Sequence, residues 1–215
     1  MRITAHTNSS LPVTQELTAI IDVSAAADAN MSTVQVYGEP TLGKPWDDVA
    51  ITPRDVDGFP IKSDTSEDFQ VTIATSGTTV PCGVLWRSDL LEYRASCDLP
   101  PVRTAGEWDL DVSLGGERVS KSSVHVNCGE GKYQQDGYCH DCPKGATCDT
   151  VGVTVESLPL AKDYWRVSLT SAELYQCPKE GSCSEGECTE GNSGVICGSC
   201  EQGWAKTSGG CVECS

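Results

Sequence analysis

Residues 108–114 read Trp108-Asp109-Leu110-Asp111-Val112-Ser113-Leu114, a strict alternation of apolar and polar side chains. Successive side chains of a strand point to opposite faces, so this run has one buried face and one wet face. Gly115-Gly116 follows, and a second run carries Val119, Val124 and Val126. Two such runs about a Gly-Gly dipeptide predict a β-hairpin. Phe69-Gln70-Val71-Thr72-Ile73 alternates in the same way, and Pro and Gly recur at short intervals. Helical periodicity is scarce; Leu17-Thr18-Ala19-Ile20-Ile21 suits a strand as well as a helix. The chain is expected to be mainly β, with a sandwich of short antiparallel strands in its front half.

Cys82 and Cys97 suggest one register in detail. If they face each other across a hairpin, the turn falls near the polar patch Arg87-Ser88-Asp89, Val84 meets Ala95 and Trp86 meets Tyr93. An aromatic cross-strand pair stabilises such a ladder by roughly 0.2–1 kcal/mol, and directly opposed cysteines have the short Cβ separation a disulfide requires. The competing reading is that the two pair elsewhere.

The chain has 13 cysteines in 215 residues, none before Cys82. From Cys128 the spacing is C-x10-C-x2-C-x5-C, a gap of 28, then C-x5-C-x4-C-x8-C-x2-C-x10-C-x2-C. Chains with this density hold small modules together covalently, because they have too little apolar material to do so by burial. Consecutive pairing links Cys128 to Cys139, Cys142 to Cys148, Cys177 to Cys183, Cys188 to Cys197 and Cys200 to Cys211. Interleaved pairings such as Cys128 with Cys142 stay open, since spacing does not fix connectivity. With Cys82 and Cys97 paired, Cys214 remains over, unpaired or joined to another module.

Composition narrows the function. There are 31 acidic and 15 basic residues, a net charge of −16. Lys and Arg are scattered without aromatic interleaving, which argues against nucleic acid, and an anionic membrane surface would repel the chain. No apolar run reaches the ~18 residues of a membrane span, so a membrane is expected only through parts outside this segment. Residues 1–6 lack a hydrophobic signal core, which conflicts with an exported, disulfide-bonded chain. A segment of a longer protein resolves the conflict, and Cys211-Val212-Glu213-Cys214-Ser215 stops in mid-motif. Two acceptor sequons, Asn8-Ser9-Ser10 and Asn30-Met31-Ser32, suit the secretory route.

Several residues carry a family resemblance. Asp55-Val56-Asp57-Gly58-Phe59-Pro60-Ile61, Phe69 to Ile73, Tyr93-Arg94-Ala95 and Ala105-Gly106-Glu107-Trp108-Asp109-Leu110-Asp111-Val112 occur in that order. Together they resemble a filamin-type immunoglobulin-like repeat over residues 32–127; the resemblance implies a seven-stranded sandwich that acts as spacer or docking surface. Cys82 and Cys97 depart from the cytoplasmic members of that family. Cys188-Thr189-Glu190-Gly191-Asn192-Ser193-Gly194-Val195-Ile196-Cys197 is similar to the last loop of epidermal-growth-factor-like and laminin-type modules. Cys128-Gly129-Glu130-Gly131-Lys132-Tyr133 to Cys142-Pro143 is similar to tumour-necrosis-factor-receptor-like and ephrin-receptor-like repeats. Tyr164-Trp165-Arg166 resembles the "GYWR" segment between such repeats in large surface or flagellar-hair (mastigoneme-like) proteins of microbial eukaryotes, with Asp163 in place of the Gly. The implied organisation is a linker or the end of a preceding module over 1–31, the immunoglobulin-like domain over 32–127, a cysteine-rich module over 128–176, and a truncated epidermal-growth-factor/laminin-like module over 177–215.

Chemical sites are scarce. Cys197, Cys200, Cys211 and Cys214 have an acceptable four-thiolate zinc spacing, and Cys139-His140-x-Cys142 is a weaker metal candidate. The other cysteines favour disulfides and no cofactor. Asp55 and Asp57 before Gly58 could hint at calcium, but Phe59-Pro60-Ile61 adds no ligand, so a turn is preferred. Only His6, His125 and His140 could serve as an imidazole base, and no G-x-S-x-G, H-E-x-x-H or phosphate-loop motif occurs. No catalytic residue is expected. Tyr164, Trp165 and Arg166 read either as a partner- or glycan-contacting patch or as internal packing between modules. The functional expectation is a segment of an extracellular structural protein that builds a filament, appendage or matrix with copies of itself or neighbouring modules. The alternative is the ectodomain of a receptor or adhesin.

Overall fold

The computed structural model describes residues 26–64 and 68–214. The readings made at Asn8, His6 and residues 17–21 lie outside these.

Seven strands build the front half: β1 (Thr33–Val36), β2 (Pro45–Thr52), β3 (Phe69–Thr75), β4 (Thr78–Arg87), β5 (Glu92–Asp98), β6 (Gly106–Leu114) and β7 (Glu117–Val126). All pairings are antiparallel, in the order β1-β2-β5-β4-β3-β6-β7. β4 belongs to two layers: Thr78 to Cys82 pair with β3, whereas Gly83 to Arg87 pair with β5. The strand thus passes from one sheet to the other at Cys82-Gly83. Each half of β4 therefore has one strand neighbour, an edge position at which Pro81 costs little for want of an N–H. One layer is β1-β2-β5-β4 and the other β4-β3-β6-β7, the strand order of a seven-stranded immunoglobulin-like sandwich.

The core follows from alternation. Phe69, Val71 and Ile73 of β3 face Trp108, Leu110, Val112 and Leu114 of β6, and all are buried. Each such side chain contributes about 1.5–3 kcal/mol by leaving water. From the opposite layer come Trp46, Val49, Ile51, Tyr93, Ala95 and Cys97. In β7 the register shifts between Val112 and Ser113, leaving Val119 as an extra residue between Arg118 and Ser120. This bulge lets Val119 pack on the same core as Val124 and Val126, although their numbers differ in parity. The hairpin register is Val84 against Ala95 and Trp86 against Tyr93; the rings of the aromatic pair meet edge-on at 5.0 Å.

The back half has short two-stranded ladders and five of the six disulfides. β8 (Lys132–Gln135) pairs with β9 (Tyr138–Asp141), and β10 (Tyr164–Trp165) with β11 (Tyr175–Gln176). β12 (Cys183–Ser184) pairs with β13 (Glu187–Cys188), β14 (Asn192–Ser193) with β15 (Ser199–Cys200), and β16 (Trp204–Thr207) with β17 (Gly210–Glu213). Among the described residues one 3-10 turn, Val195–Cys197, is the sole helical element, and no helix is long and apolar enough to cross a membrane. Disulfides join Cys82–Cys97, Cys128–Cys139, Cys142–Cys148, Cys177–Cys183, Cys188–Cys197 and Cys200–Cys211. Cys214 is a free, exposed thiol.

Contacts cross two of the boundaries expected from the sequence. Residues 27–31, in the stretch expected as a linker or the end of a preceding module, are docked on the sandwich: Ala29 is buried in its core, and Asp28 N–H donates to the Arg54 carbonyl at 2.8 Å. The cut at 127/128 also runs through one packed unit, because Cys128 and Cys139 lie in the same hydrophobic cluster as Trp108 and Val126. Counting cysteines marks where crosslinking starts, not where burial stops.

Candidate functional site

The sandwich has two ends. At one lie the turn at 54–60, the β4–β5 turn at 88–91 and the β6–β7 turn at 115–116; this follows from β1 and β5 both pairing with the last residues of β2, and from Phe69 pairing with Leu114. At the other end the cysteine-rich region is attached, and the attachment is dense. Leu42 N–H donates to the Asn127 carbonyl at 3.0 Å and Asn127 N–H to the Pro40 carbonyl at 2.8 Å. Cys139 N–H donates to Arg103 O at 2.7 Å and Ala105 N–H to Gly137 O at 2.9 Å. These bonds lay the β8–β9 hairpin along the 103–105 segment. The Cys128–Cys139 bridge then pins the hairpin to the end of β7. Outside, Lys44 and Glu130 pair at 2.9 Å, and the hydrogen bond and charge of Lys44 hold the Glu130 carboxyl below the usual carboxylate range. Asn127 Nδ2 donates to Glu39 at 2.8 Å. Backbone ladder, disulfide and shared core leave no swivel at this joint.

A second joint is built around Tyr164-Trp165-Arg166. Arg166 is buried, and its guanidinium donates to the carbonyls of Val155, Glu156 and Leu169. Burial lowers its pKa, and Glu156 opposes that shift. Trp165 packs on the cluster of Cys177, Cys183 and Cys197. Tyr164 lies over Gly145, where an added Cβ would sit 2.1 Å from the ring. The three side chains are thus turned inward, onto the 155–169 backbone, the Cys177 cluster and Gly145. Asp163 before them has φ +66°, the left-handed conformation that the Gly of the resembled segment would take easily. Its carboxylate accepts the Gly181 N–H, and its carbonyl accepts the Cys177 N–H at 2.8 Å.

The terminal module uses the same device. Gly191 has φ +78°, and a Cβ there would meet Trp204 Cε3 at 2.4 Å. The indole of β16 therefore covers a bare backbone, which accounts physically for glycine at this position.

The chemical candidates fall as follows. Cys200 and Cys211 are bonded to each other and Cys197 to Cys188, so the four-thiolate set is not assembled, and no cluster of metal-ligating side chains occurs among the described residues. Asp55 uses its carboxylate to accept the N–H groups of Asp57 (3.0 Å) and Phe59 (2.8 Å), which makes the 54–60 segment a turn. His140 stacks on Tyr133 at 5.3 Å. One constellation was not anticipated: Glu107, Ser123 and His125 meet on the outer face of β6 and β7. Glu107 accepts from Ser123 and contacts His125 Nδ1 at 3.0 Å, and these hydrogen bonds, Ser123 first, lower its pKa. The hydroxyl is bonded to the carboxylate, not the imidazole, so the serine–histidine contact of a nucleophilic triad is not made. The group belongs to a cross-strand row with Asp109–Lys121 and Asp111–Arg118, each at 3.1 Å.

No family model matches the sequence, and no curated protein matches it. Solved structures similar in part include the Lin-41 filamin domain, at 18% identity and TM-score 0.39, covering 47% of this chain and 97% of that one. Another is the adhesin InvE of Yersinia pseudotuberculosis, at 18% identity and TM-score 0.36; the match covers 49% of this chain and 29% of that one. The immunoglobulin-like sandwich is defined by its own strand order and register.

Proposed function

We propose that this chain is a segment of an extracellular structural protein, a rigid spacer that builds a filament, appendage or matrix by module-to-module packing. The observation that carries the reading is the joint at Cys128–Cys139. A receptor needs a presented surface; a spacer needs modules that do not bend against each other, and here the sandwich and the first cysteine-rich module share one core. Six disulfides favour an oxidising compartment. The resemblance of the back half to epidermal-growth-factor-like and receptor-like repeats supports the same role, in which Tyr164, Trp165 and Arg166 would fix the angle between them. Partners are copies of the chain or neighbouring modules, and Cys214 offers a thiol for a bond beyond this segment. The alternative, the ectodomain of a receptor or adhesin, has in its favour the exposed Leu85, Leu90 and Leu91 of the β4–β5 hairpin.

Electron microscopy of native material tests the choice. Threads or a lattice with a regular repeat are expected. Isolated particles that do not self-associate and that retain a foreign protein or glycan would overturn the structural reading in favour of the receptor.

A further inference from the structure

We infer that Asn30 carries an N-linked glycan, and that this glycan covers the apolar turn formed by Met31, Val56 and Phe59. The inference rests on the export proposed above and adds a site and its purpose. The tripeptide Asn30-Met31-Ser32 lies in a turn whose backbone is fixed by Asp28: its Oδ1 accepts the N–H groups of Asn30 at 2.9 Å and Met31 at 3.1 Å. Asn30 itself is exposed. A bulky saccharide on its Nδ2 therefore meets no obstacle from the turn that presents it.

The neighbouring surface supplies the reason. Asp28 N–H donates to the Arg54 carbonyl, Arg54 N–H donates to Ser32 Oγ at 3.1 Å, and Arg54 Nη1 donates to Gly58 O at 2.8 Å. These bonds lace the Asn30 turn to the 54–60 turn. Met31 lies over Gly58, its Cε 2.9 Å from where a Cβ would be. Beside it Val56 is 72% and Phe59 68% exposed. Exposed apolar side chains gathered in one place, unlike ones scattered singly, mark a surface that takes a contact. The C–H faces of the first sugar rings, held one residue from Met31, fit that surface.

The timing follows from Ser32. Its hydroxyl, the sequon's third-position group, is buried and accepts the Arg54 N–H in the folded chain. Transfer thus precedes the pairing of β1 with β2. In that step Asn30 Nδ2 attacks the anomeric carbon of a lipid-diphosphate-linked oligosaccharide. The N–C bond forms, the carbon–oxygen bond to the diphosphate breaks, the lipid diphosphate leaves, and the amide proton passes to base.

The test uses the full chain secreted by a eukaryotic host, digested with an amidase that releases N-glycans in heavy-oxygen water. Asn30 is expected to be recovered as labelled Asp, and Asn30→Gln to lose the label. Met31 and Met1 are the chain's two methionines, so peroxide oxidation of Met31 reads the cover directly. Met31 should oxidise several-fold faster after the glycan is removed, and Phe59→Ser should narrow that difference. Glycosylated chain with equal rates before and after removal would overturn the covering role. An unmodified Asn30 would overturn the inference altogether. In that case oxidised cysteines in the same sample would leave the export reading standing, whereas free thiols would remove both.

Discussion

Asp163 reaches across 18 residues to accept the backbone N–H of Gly181 while its own backbone sits at φ +66°. One residue thus ties the segment after Cys148 to the loop closed by Cys177–Cys183, at the cost of a conformation that non-glycine residues avoid. The two effects can be separated. Asp163→Gly relieves the backbone but loses the hydrogen bond; Asp163→Ala loses the bond and keeps the strain. Asp163→Ala is expected to cost about 2 kcal/mol and Asp163→Gly about 1 kcal/mol. Exchange of the Gly181 amide measures both: equal losses in the two variants would show that the left-handed backbone costs nothing there, and no loss in either would show that the carboxylate does not matter.

Arg166 gives a second prediction at the same joint. Its planar fork serves three carbonyls, a task that a single ammonium does not reproduce. Arg166→Ala should cost about 2–4 kcal/mol by leaving buried acceptors unpaired, and Arg166→Lys should rescue little. Limited proteolysis within residues 155–170 reads the loss; wild-type resistance in Arg166→Ala would show the guanidinium to be dispensable.

For Gly191, the expected cost of Gly191→Ala is about 2 kcal/mol or more, from left-handed strain plus the contact with Trp204. A red-shifted Trp204 emission would accompany it. Unchanged emission and stability would mean that the indole does not rest on that backbone.

Removing Cys82–Cys97 by Cys82→Ala with Cys97→Ala should lower the stability of the sandwich by roughly 2–4 kcal/mol, because the bridge closes a loop of 15 residues in the unfolded chain. Amide exchange in β3 and β6 follows the sandwich alone. Peptide mapping that joined either cysteine to one beyond Cys128 would instead show the register of β4 and β5 to be wrong.

Acid should loosen the surface pairs. Glu107, Glu130 and Asp141 all have folded pKa values below their ordinary ones, through hydrogen bonds from Ser123, Lys44 and Lys132 respectively. A depressed carboxyl pKa contributes stability above its unfolded value, and that contribution is lost as pH falls through the folded one. Unfolding midpoints should therefore begin to decline below about pH 4 on this account. Glu107→Gln should flatten the decline; an unchanged profile would show that the row on β6 and β7 adds nothing.

How far these features were legible in the sequence depends on burial. β3 and β6 announce themselves, because each has one face in the core and one in water. β2 does not: Val49, Ala50 and Ile51 are all buried, since Ala50 on the outer side is flanked by Gln35 and Arg94 of its neighbours. The passage of β4 between layers was invisible, as its two halves follow one alternation. Cysteine spacing says little about partners. Cys183 and Cys188 are directly opposed in β12 and β13, yet each is bridged elsewhere, to Cys177 and Cys197. The inward use of Tyr164, Trp165 and Arg166 required knowing where the carbonyls of residues 155–169 point.

The two ends of the sandwich have a mechanical corollary. The chain enters beside the 54–60 turn and leaves at Asn127, at the opposite end, so tension applied through the chain on either side runs lengthwise through the sandwich. The β1–β2 and β6–β7 hydrogen bonds are then loaded together in shear and cannot open one by one. Beyond Cys128 the bridges fence off about half of the residues up to Cys214 inside closed loops. Those residues add no length under tension while the bridges stay oxidised. Extension of this region then falls to the unbridged stretches, above all residues 149–176 between Cys148 and Cys177.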